Sequence, residues 1–326
     1  MPQPDVQAST VRGPLQNVSI AYRNRNYIAD SVFPIIENVD AKTKIAIYGK
    51  GAYFRDEADV RGPGSAAKRG GYPLDYVNIT PIEYAFAKEV TDEDRKHAKS
   101  PLTPPLQPDE DAIEFASDKV DLRRERLVSA VIFAATWCGV STGEDAEGGW
   151  AAGAGNTFIE DVEARIETIR ANCGIRPNRM WISANTLPEL KQESSVLDRI
   201  KYTERGIVTP ALIAAMFDLE QVLIGDAIYS SAEETAAGDD FTSVNVWEAN
   251  AGKGSAMLFY APPRVGLKMV SAGVQARGAF DDGQPRRIST WRENKFHQDV
   301  YEVAEEVDFV QVCSYAGFLW KDTIAT

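Results

Sequence analysis

The sequence predicts an α+β fold, because helical and strand-like patterns alternate along its 326 residues. A stretch of about 28 residues that begins near Asp109 repeats apolar residues at helical spacing. Short apolar runs, such as Met180 to Ser183 and Ala256 to Tyr260, are typical of strands. Between two further runs of this kind, residues 49–76 form a long polar excursion rich in Gly and Arg. These three observations predict a helical spine, strand-rich segments and one extension.

The polar excursion lies between a strand-like run at Lys44 to Tyr48 and a second run that starts at Val77. This arrangement predicts an extended two-stranded arm with a Gly/Pro tip near Arg61 to Gly64. An arm of this composition buries too little apolar surface by itself to offset the entropy lost on ordering. We therefore expect it to contact a neighbouring molecule. A surface loop or an active-site lid is the alternative interpretation.

The charge of the excursion differs from that of the whole chain. It carries five cations and four carboxylates, whereas the chain has a formal net charge of −13. Arg61, Lys68 and Arg69 lie in a tip that has no carboxylate, and Arg55 precedes it. Because a cationic tip is attracted to an acidic neighbour, we expect these four residues to make intersubunit contacts. Alternatively, they only keep the tip solvated.

A long amphipathic helix is predicted after the Pro-rich segment 100–108. Negative charge from Asp109 onward suits the helix N-terminus. The predicted apolar stripe, which runs on toward Trp137, consists of Ile113, Ala116, Val120, Leu127, Val131 and Ala134. In the middle of the helix, Glu125 and three cations are assigned to a charged flank exposed to solvent. Those cations are Arg123, Arg124 and Arg126.

A mixed block of helices and strands follows the glycine-rich connector at residues 139–156. One helix is predicted to begin at Thr157 and to stop at Gly174. Further helices are expected from Leu187 and at Thr209-Pro210, where Pro is suited to the first helical position. Strands are expected at 180–183, 221–224, 244–247 and 256–260. From Arg264 onward the sequence is rich in strand formers.

Segments in the same order resemble the tailed-bacteriophage major capsid (coat) proteins of the Hong Kong 97 fold family. They are Tyr27 to Asp30, Val32 to Pro34, the excursion, Tyr84 to Glu93, Asp118 to Arg126, Asp308 to Val310 and Phe318 to Asp322. The resemblance spans nearly the whole chain and rests on the ordered set of segments. It implies an N-terminal arm, an extended β-loop, a peripheral domain with a long spine helix, and an axial domain.

The resemblance also implies where these parts lie along the chain. The arm is residues 1–26, the extended loop 44–80 and the axial domain 155–262. The peripheral domain is discontinuous and combines 27–43, 81–154 and 263–326. An acidic loop in the axial domain is expected near the centre of the capsomer, where its repeated charges would splay outward or bind cations. Its carboxylates are Glu233, Glu234, Asp239 and Asp240.

The function implied by the resemblance is self-assembly. Pentamers and hexamers of the chain would form an icosahedral shell around phage DNA, without sequence-specific binding. A separate scaffolding protein, a portal and minor or decoration proteins are the further partners expected. The location expected is the virion capsid, with assembly in the host cytoplasm. An encapsulin-like nanocompartment shell is the alternative within the same fold.

Composition excludes several other classes of function. The acidic net charge disfavours a nonspecific nucleic-acid binder, which needs a basic face. Three cysteines, Cys138, Cys173 and Cys313, have no metal-ligand spacing and are expected to be buried reduced thiols in a soluble protein. No apolar run is long enough to span a membrane. With only two histidines, we expect no catalytic, cofactor or metal site.

One pattern allows an enzymatic alternative. Residues 139–143 match the G-x-S-x-G signature of serine hydrolases, with Ser141 as the nucleophile and His297 downstream. That motif needs a strand before the serine and a helix after it. Here a long helical pattern precedes Ser141 and a glycine-rich segment follows, which disfavours the hydrolase interpretation.

Overall fold

The computed structural model describes residues 23–40, 42–98, 107–153, 155–200, 208–233, 241–266, 268–280 and 283–324. Most of the predicted N-terminal arm therefore lies outside the described residues. The helices are α1 (Ala29–Val32), α2 (Lys50–Tyr53), α3 (Asp92–Ala98), α4 (Pro108–Ala134), α5 (Phe158–Cys173), α6 (Thr186–Gln192), α7 (Ser194–Ile200) and α8 (Pro210–Met216). The strands are β1 (Ile35–Ile36), β2 (Thr43–Tyr48), β3 (Leu74–Ile79), β4 (Ile82–Thr91), β5 (Thr136–Trp137), β6 (Val140–Ser141), β7 (Glu144–Asp145), β8 (Arg179–Ser183), β9 (Gln221–Gly225), β10 (Ile228–Ser230), β11 (Ser243–Asn245), β12 (Ser255–Phe259), β13 (Gly273–Arg277), β14 (Arg286–Glu293), β15 (Gln298–Gln311) and β16 (Gly317–Lys321). The predicted mixture of helices and strands is confirmed.

The chain divides into two compact units. The described residues of the smaller unit come from Glu83–Asp121 and Arg286–Glu305, together with Arg23. The larger unit combines Asn24–Ile82, Leu122–Pro285 and Glu306–Thr326. The observed boundary lies inside α4, whereas the sequence assigned this helix to one domain. The predicted domain limits remain a prediction.

The larger unit is built around a five-stranded sheet in the order β7-β16-β12-β8-β9. Its central strand β12 is buried along its whole length, and all of its residues except Ser255 are apolar. Strand β16, from the C-terminal end of the chain, pairs with β12 from Ser255↔Lys321 to Phe259↔Gly317. The sequence assigned these two strands to different domains. Their ladder joins the end of the chain to the mixed block.

Helix α5, which the sequence predicted, packs against this sheet. Ile159, Val162, Ile166 and Ile169 form its buried stripe. The helix ends at Gly174, which has φ 70° and whose N–H bonds the carbonyl of Arg170. Glycine adopts this left-handed conformation without steric cost, so the residue stops the helix.

Salt bridges and a small apolar cluster stabilise the smaller unit. Ala116 and Val120 of α4 pack against Val303 of β15. Arg95 of α3 forms ion pairs with Asp109 at 2.6 Å and with Asp299 at 2.5 Å. The cation therefore ties three separate segments of this unit together, because its guanidinium has donors in several directions.

The predicted stripe of α4 is correct in its first half and wrong in its second. Ala116 and Val120 are buried as expected. Beyond them, Val128 and Ile132 are buried in place of the expected Leu127, Val131 and Ala134. The helix ends at Ala134, and Trp137 belongs to the short strand β5. The buried face of α4 differs from the predicted one because Glu125, which the sequence assigned to solvent, occupies a position that faces the core.

Glu125 is fully buried. Its Oε1 accepts hydrogen bonds from the N–H of Ile28 at 2.9 Å and from Trp247 Nε1 at 2.6 Å. Its Oε2 accepts the N–H of Ala29 at 2.9 Å. Burial raises the pKa of the Glu125 carboxyl, while the hydrogen bonds and the charge of Arg124 oppose the rise. This one side chain holds the start of α1 and Trp247 of the mixed block against α4.

Candidate intersubunit interface

The excursion begins and ends on a two-stranded ladder. Strands β2 and β3 pair antiparallel, with six residue pairs from Thr43↔Ile79 to Tyr48↔Leu74. Both strands were predicted. The prediction that their pairing continues along the excursion as a two-stranded arm was wrong. Beyond Tyr48 and Leu74 the chain forms the short helix α2 and otherwise follows an irregular path. Glycine, proline and like-charged neighbours in this stretch disfavour regular cross-strand pairing.

Aromatic side chains hold the base of the excursion together. The ring centroid of Tyr48 lies 5.9 Å from that of Tyr53 and 5.5 Å from that of Tyr72. The rings of Tyr53 and Tyr72 are 6.0 Å apart. Aromatic contacts of this kind contribute about 0.5–1.5 kcal/mol each beyond area burial. Sequence reasoning missed this cluster, although its tyrosines flank the glycines at both ends of the excursion.

The base of the excursion is also anchored to α5. Lys50 Nζ donates to Asn172 Oδ1 at 3.2 Å and lies 3.6 Å from the ring centroid of Tyr315. Phe54 lies close to Gly174, since a Cβ atom on that glycine would be 3.2 Å from the Phe54 ring. The first six residues of the excursion, 49–54, are therefore anchored at the C-terminal end of α5.

The tip is a tight turn, as the sequence predicted. The N–H of Ser65 donates to the carbonyl of Gly62 at 3.1 Å, and Gly64 has φ 80°. With Pro63 before this glycine, the pattern is that of a type II turn. Arg61 Nε donates to the carbonyl of Ser65 at 2.6 Å, which braces the turn.

The predicted contact cations are all exposed, and three of them already have local partners. Besides Arg61, Lys68 Nζ lies 3.3 Å from a carboxylate oxygen of Asp59, and Arg55 lies 3.8 Å from Glu57. Exposed ion pairs contribute little to stability. Arg69 is exposed at the tip as well. Whether these four residues contact a neighbouring subunit remains a prediction.

Every residue from Tyr53 to Tyr76 is exposed in the isolated chain. Among them are six large apolar side chains that a folded monomer leaves in water, with Val60 as the extreme. They are Tyr53, Phe54, Val60, Tyr72, Leu74 and Tyr76. A run of 24 consecutive exposed residues that includes this much apolar surface is typical of an interaction site.

Gly49 allows the two ends of the excursion to approach closely, and this contact can be tested. A Cβ atom at Gly49 would lie 2.5 Å from Pro73 Cγ, whereas one at Gly51 would meet nothing within 4 Å. We therefore expect Gly49→Ala to loosen the base and to speed protease cleavage within the excursion several-fold. Gly51→Ala, two residues away, is the matched control and should leave the cleavage rate unchanged. Equal rates for the two variants would contradict the proposed contact.

The three cations of the spine helix lie in different surroundings. Arg123 is exposed. Arg124 forms a salt bridge with Asp30 at 3.2 Å, and the guanidinium of Arg126 lies 4.1 Å from the ring centroid of Tyr229. At least two of the three therefore hold other segments of the larger unit against α4. No intersubunit role for them follows from these contacts.

The acidic loop follows β10 in the sequence and precedes β11, and these two strands pair antiparallel from Ile228↔Asn245 to Ser230↔Ser243. Glu233 is exposed. Glu234, Asp239 and Asp240 lie outside the described residues, and their predicted position near a capsomer centre remains a prediction.

The context of Ser141 differs from that of a hydrolase nucleophile. It ends the two-residue strand β6, which pairs with β5 in a tight hairpin. The next element is the two-residue strand β7, and the next helix begins only at Phe158. Without a strand–turn–helix arrangement, the serine is not presented beside helical N–H groups.

Across the described ranges, no cluster of three or more His, Cys, Asp or Glu side chains is arranged to hold a metal ion. The same ranges contain no helix with the length and apolar character to cross a membrane.

The chain was compared with known proteins by sequence and by structure. No family model matches the chain. The chain is 26% identical over 251 residues to a protein named major capsid protein from Burkholderia phage BcepMu, which covers 76% of this chain and 75% of that protein. A phage-related protein from Bordetella bronchiseptica has a TM-score of 0.66 at 19% identity, covering 93% of this chain and 94% of its own. The capsid structure of cyanophage P-SCSP1u has a TM-score of 0.64 at 11% identity, covering 98% and 95%.

The fold is the Hong Kong 97-type capsid fold, so the predicted fold class is confirmed. The resemblance of the chain to the tailed-bacteriophage major capsid proteins is confirmed as well.

Proposed function

We propose that the chain is a structural major capsid protein whose activity is self-association into an icosahedral shell around phage DNA. The observation that carries this proposal is the exposed part of the excursion, residues 53–76, on a chain with a capsid fold. Its apolar side chains gain burial only when a second molecule covers them, and the shell supplies such a molecule at every interface.

The excursion is organised for contact with a neighbour at some distance from its base. The tyrosine cluster and Lys50 fix the base, whereas the tip has its own turn, and Lys68 in the tip pairs with Asp59. A pre-shaped tip loses less entropy on binding than a disordered one. Its cations are attracted to the acidic surface that a chain of net charge −13 presents.

The proposed assembly consists of pentamers and hexamers of one chain. Pentamers supply the curvature that closes the shell. A separate scaffolding protein, a portal and minor or decoration proteins are the further partners. DNA is enclosed without sequence-specific contacts, and assembly takes place in the host cytoplasm. The chain has no catalytic role in this account.

The tip cations provide the test of the interface. Lys68→Ser combined with Arg69→Ser is expected to lower the yield of particles at least about threefold, with the largest loss at low salt, because the attraction removed is electrostatic. Particle yield is measured by sedimentation across a series of NaCl concentrations. Arg176→Ser combined with Lys191→Ser is the matched control, since both of these cations are exposed elsewhere and the change in net charge is the same. Equal yields for the two double variants would overturn the role assigned to the tip.

The encapsulin alternative shares the fold. The relative from Burkholderia phage BcepMu favours the phage coat, since its likeness extends to sequence over three quarters of each chain. Purified particles discriminate the two: a phage coat assembles without a cargo enzyme, whereas a nanocompartment co-purifies with one.

A further inference from the structure

Arg179 lines a cleft of about 340 Å³ in the larger unit, called the Arg179 cleft below. It is the first residue of β8 and lies beside Gln221, the first residue of β9, because the two strands run parallel. Segments that are distant in the sequence complete the cleft: α1 with the residues after it, and the two prolines that follow β12. The fold therefore brings one cation into a cleft whose other walls come from separate parts of the chain.

The guanidinium of Arg179 is held in place, but its donors are only partly used. Its Nη1 donates to the carbonyl of Ser31 in α1 at 2.7 Å. Its Nε is buried and has no hydrogen-bond partner among the described residues. The side chain is half-buried, and no carboxylate of the described ranges lies within ion-pairing distance of it. Burial therefore removes water from this cation without a neighbouring charge to compensate for the lost hydration.

Most of the remaining wall of the Arg179 cleft is apolar. Pro34 and Pro262 are buried where they line it. Phe33, also in the wall, packs edge-on against Phe259 with ring centroids 6.1 Å apart. A charge pair formed beside such walls is screened less by water and salt than one on an open surface. The cleft thus favours a charged group that replaces water at the guanidinium.

The charge balance at the cleft favours an anion. Asp30 is in the wall, but it is already paired with Arg124 at 3.2 Å and with Arg277 at 2.7 Å. With Arg179, these side chains amount to three cations against one carboxylate. The planar fork of a guanidinium matches a carboxylate, which it can bind through two parallel hydrogen bonds. The free donors of Arg179 are therefore suited to a carboxylate from outside the subunit.

We propose that the Arg179 cleft binds an aspartate or glutamate side chain of a second copy of this chain. The inference rests on the proposed function, since a shell brings copies of the chain together. A second copy is the occupant that the charges favour, because the chain has 48 Asp and Glu residues against 35 Lys and Arg. DNA is disfavoured, since the net charge of −13 repels a phosphate backbone.

Arg179→Gln removes the charge and keeps an N–H donor for the carbonyl of Ser31. The chain concentration needed for particle formation should rise about tenfold, because one half of a partly desolvated charge pair is lost. Unlike the defect of the tip variants, this one should persist as NaCl is raised. The urea midpoint of the isolated subunit should stay the same. Arg176→Gln, an exposed neighbour in the sequence, is the control and should assemble as the wild type does.

A carbodiimide cross-link identifies the occupant directly, since this reagent joins an amine to a carboxylate in contact with it. Arg179→Lys supplies the amine, and the variant is co-assembled with an excess of isotopically heavy wild-type chain. The particles are treated, digested and mapped by mass spectrometry. We expect position 179 of a light chain to be linked to an aspartate or glutamate of a heavy chain, in particles and not in dissociated subunits. Arg176→Lys is the control for an exposed amine and should give no comparable link.

The outcomes separate this inference from the proposed function. Particles that form but contain no link from position 179 to a heavy chain would overturn the inference and leave the proposed function standing. Normal assembly of Arg179→Gln with a loss of enclosed DNA would assign the cleft to a phosphate and would also overturn it. If the wild-type chain forms no particles under any condition, the proposed function fails and this inference fails with it.

Discussion

Replacement of residues 49–73 by Asn-Gly is expected to abolish closed shells and to leave the subunit folded. The ladder of β2 and β3 ends at the pair Tyr48↔Leu74. A two-residue Asn-Gly turn connects such a pair directly, because it matches the twist of the strands. The variant therefore removes the excursion and keeps the strands that carry it.

The expected loss is large because the excursion contributes most of the exposed apolar surface assigned to the interface. Particles are counted by electron microscopy and sedimentation, and subunit stability is measured by urea unfolding. We expect no particles and a decrease in the free energy of unfolding of about 1–3 kcal/mol, from the lost contacts at the base. A second variant with residues 55–71 replaced by Gly-Gly keeps Lys50 and Phe54 and should also fail to assemble. Normal shells from either variant would contradict the proposed interface.

Glu125→Ala has the largest expected effect on the stability of the subunit. The substitution leaves the N–H groups of Ile28, Ala29 and Trp247 without their buried acceptor. The free energy of unfolding should fall by about 3–5 kcal/mol, since each unpaired buried donor is costly. Glu110→Ala, on the exposed side of the same helix, is the control and should cost less than about 1 kcal/mol.

The raised pKa of Glu125 also predicts a dependence on pH. A carboxyl whose pKa is raised on folding stabilises the protein most below its ordinary pKa of about 4.3, and that contribution is lost as pH rises through the folded value. Glu125→Gln does not titrate. Between pH 4 and pH 7 the stability of the wild type relative to this variant should therefore fall. A relative stability that rises with pH would show that the three N–H donors outweigh the effect of burial.

Local patterns predicted much of the larger unit. The apolar stripe and terminal glycine of α5 fixed its ends to within a residue. Thr209 accepts the N–H of Leu212 at the start of α8, with Pro210 in the first position. These elements follow from short-range rules for periodicity and capping, which act within one or two turns of helix.

Long-range contacts account for the elements that were mispredicted. Glu125 is buried because its acceptors are satisfied by residues 96, 97 and 122 positions away, which no local pattern reveals. The second half of the α4 stripe was wrong for the same reason. Cys138, Cys173 and Cys313 are free thiols that are only partly buried, whereas the sequence predicted buried ones.

The position of the excursion and the turn at its tip were predicted correctly, but its irregular backbone was not. Its glycines and prolines indicated a break in regular structure, and the tip turn is where Pro63-Gly64 predicts it. We overestimated the length of the β2–β3 ladder because the sequence of an extended polar stretch does not show whether its residues pair with another strand. What the stretch contacts outside the chain is a property of the assembly.

Negative-stain electron microscopy of the purified chain, together with size-exclusion chromatography with and without a crowding agent, tests the central claim most directly. Self-association through the excursion predicts rings or closed shells in the wild type and their absence in the Asn-Gly replacement. A monomer under every condition in both proteins, or identical particles from both, would contradict the account.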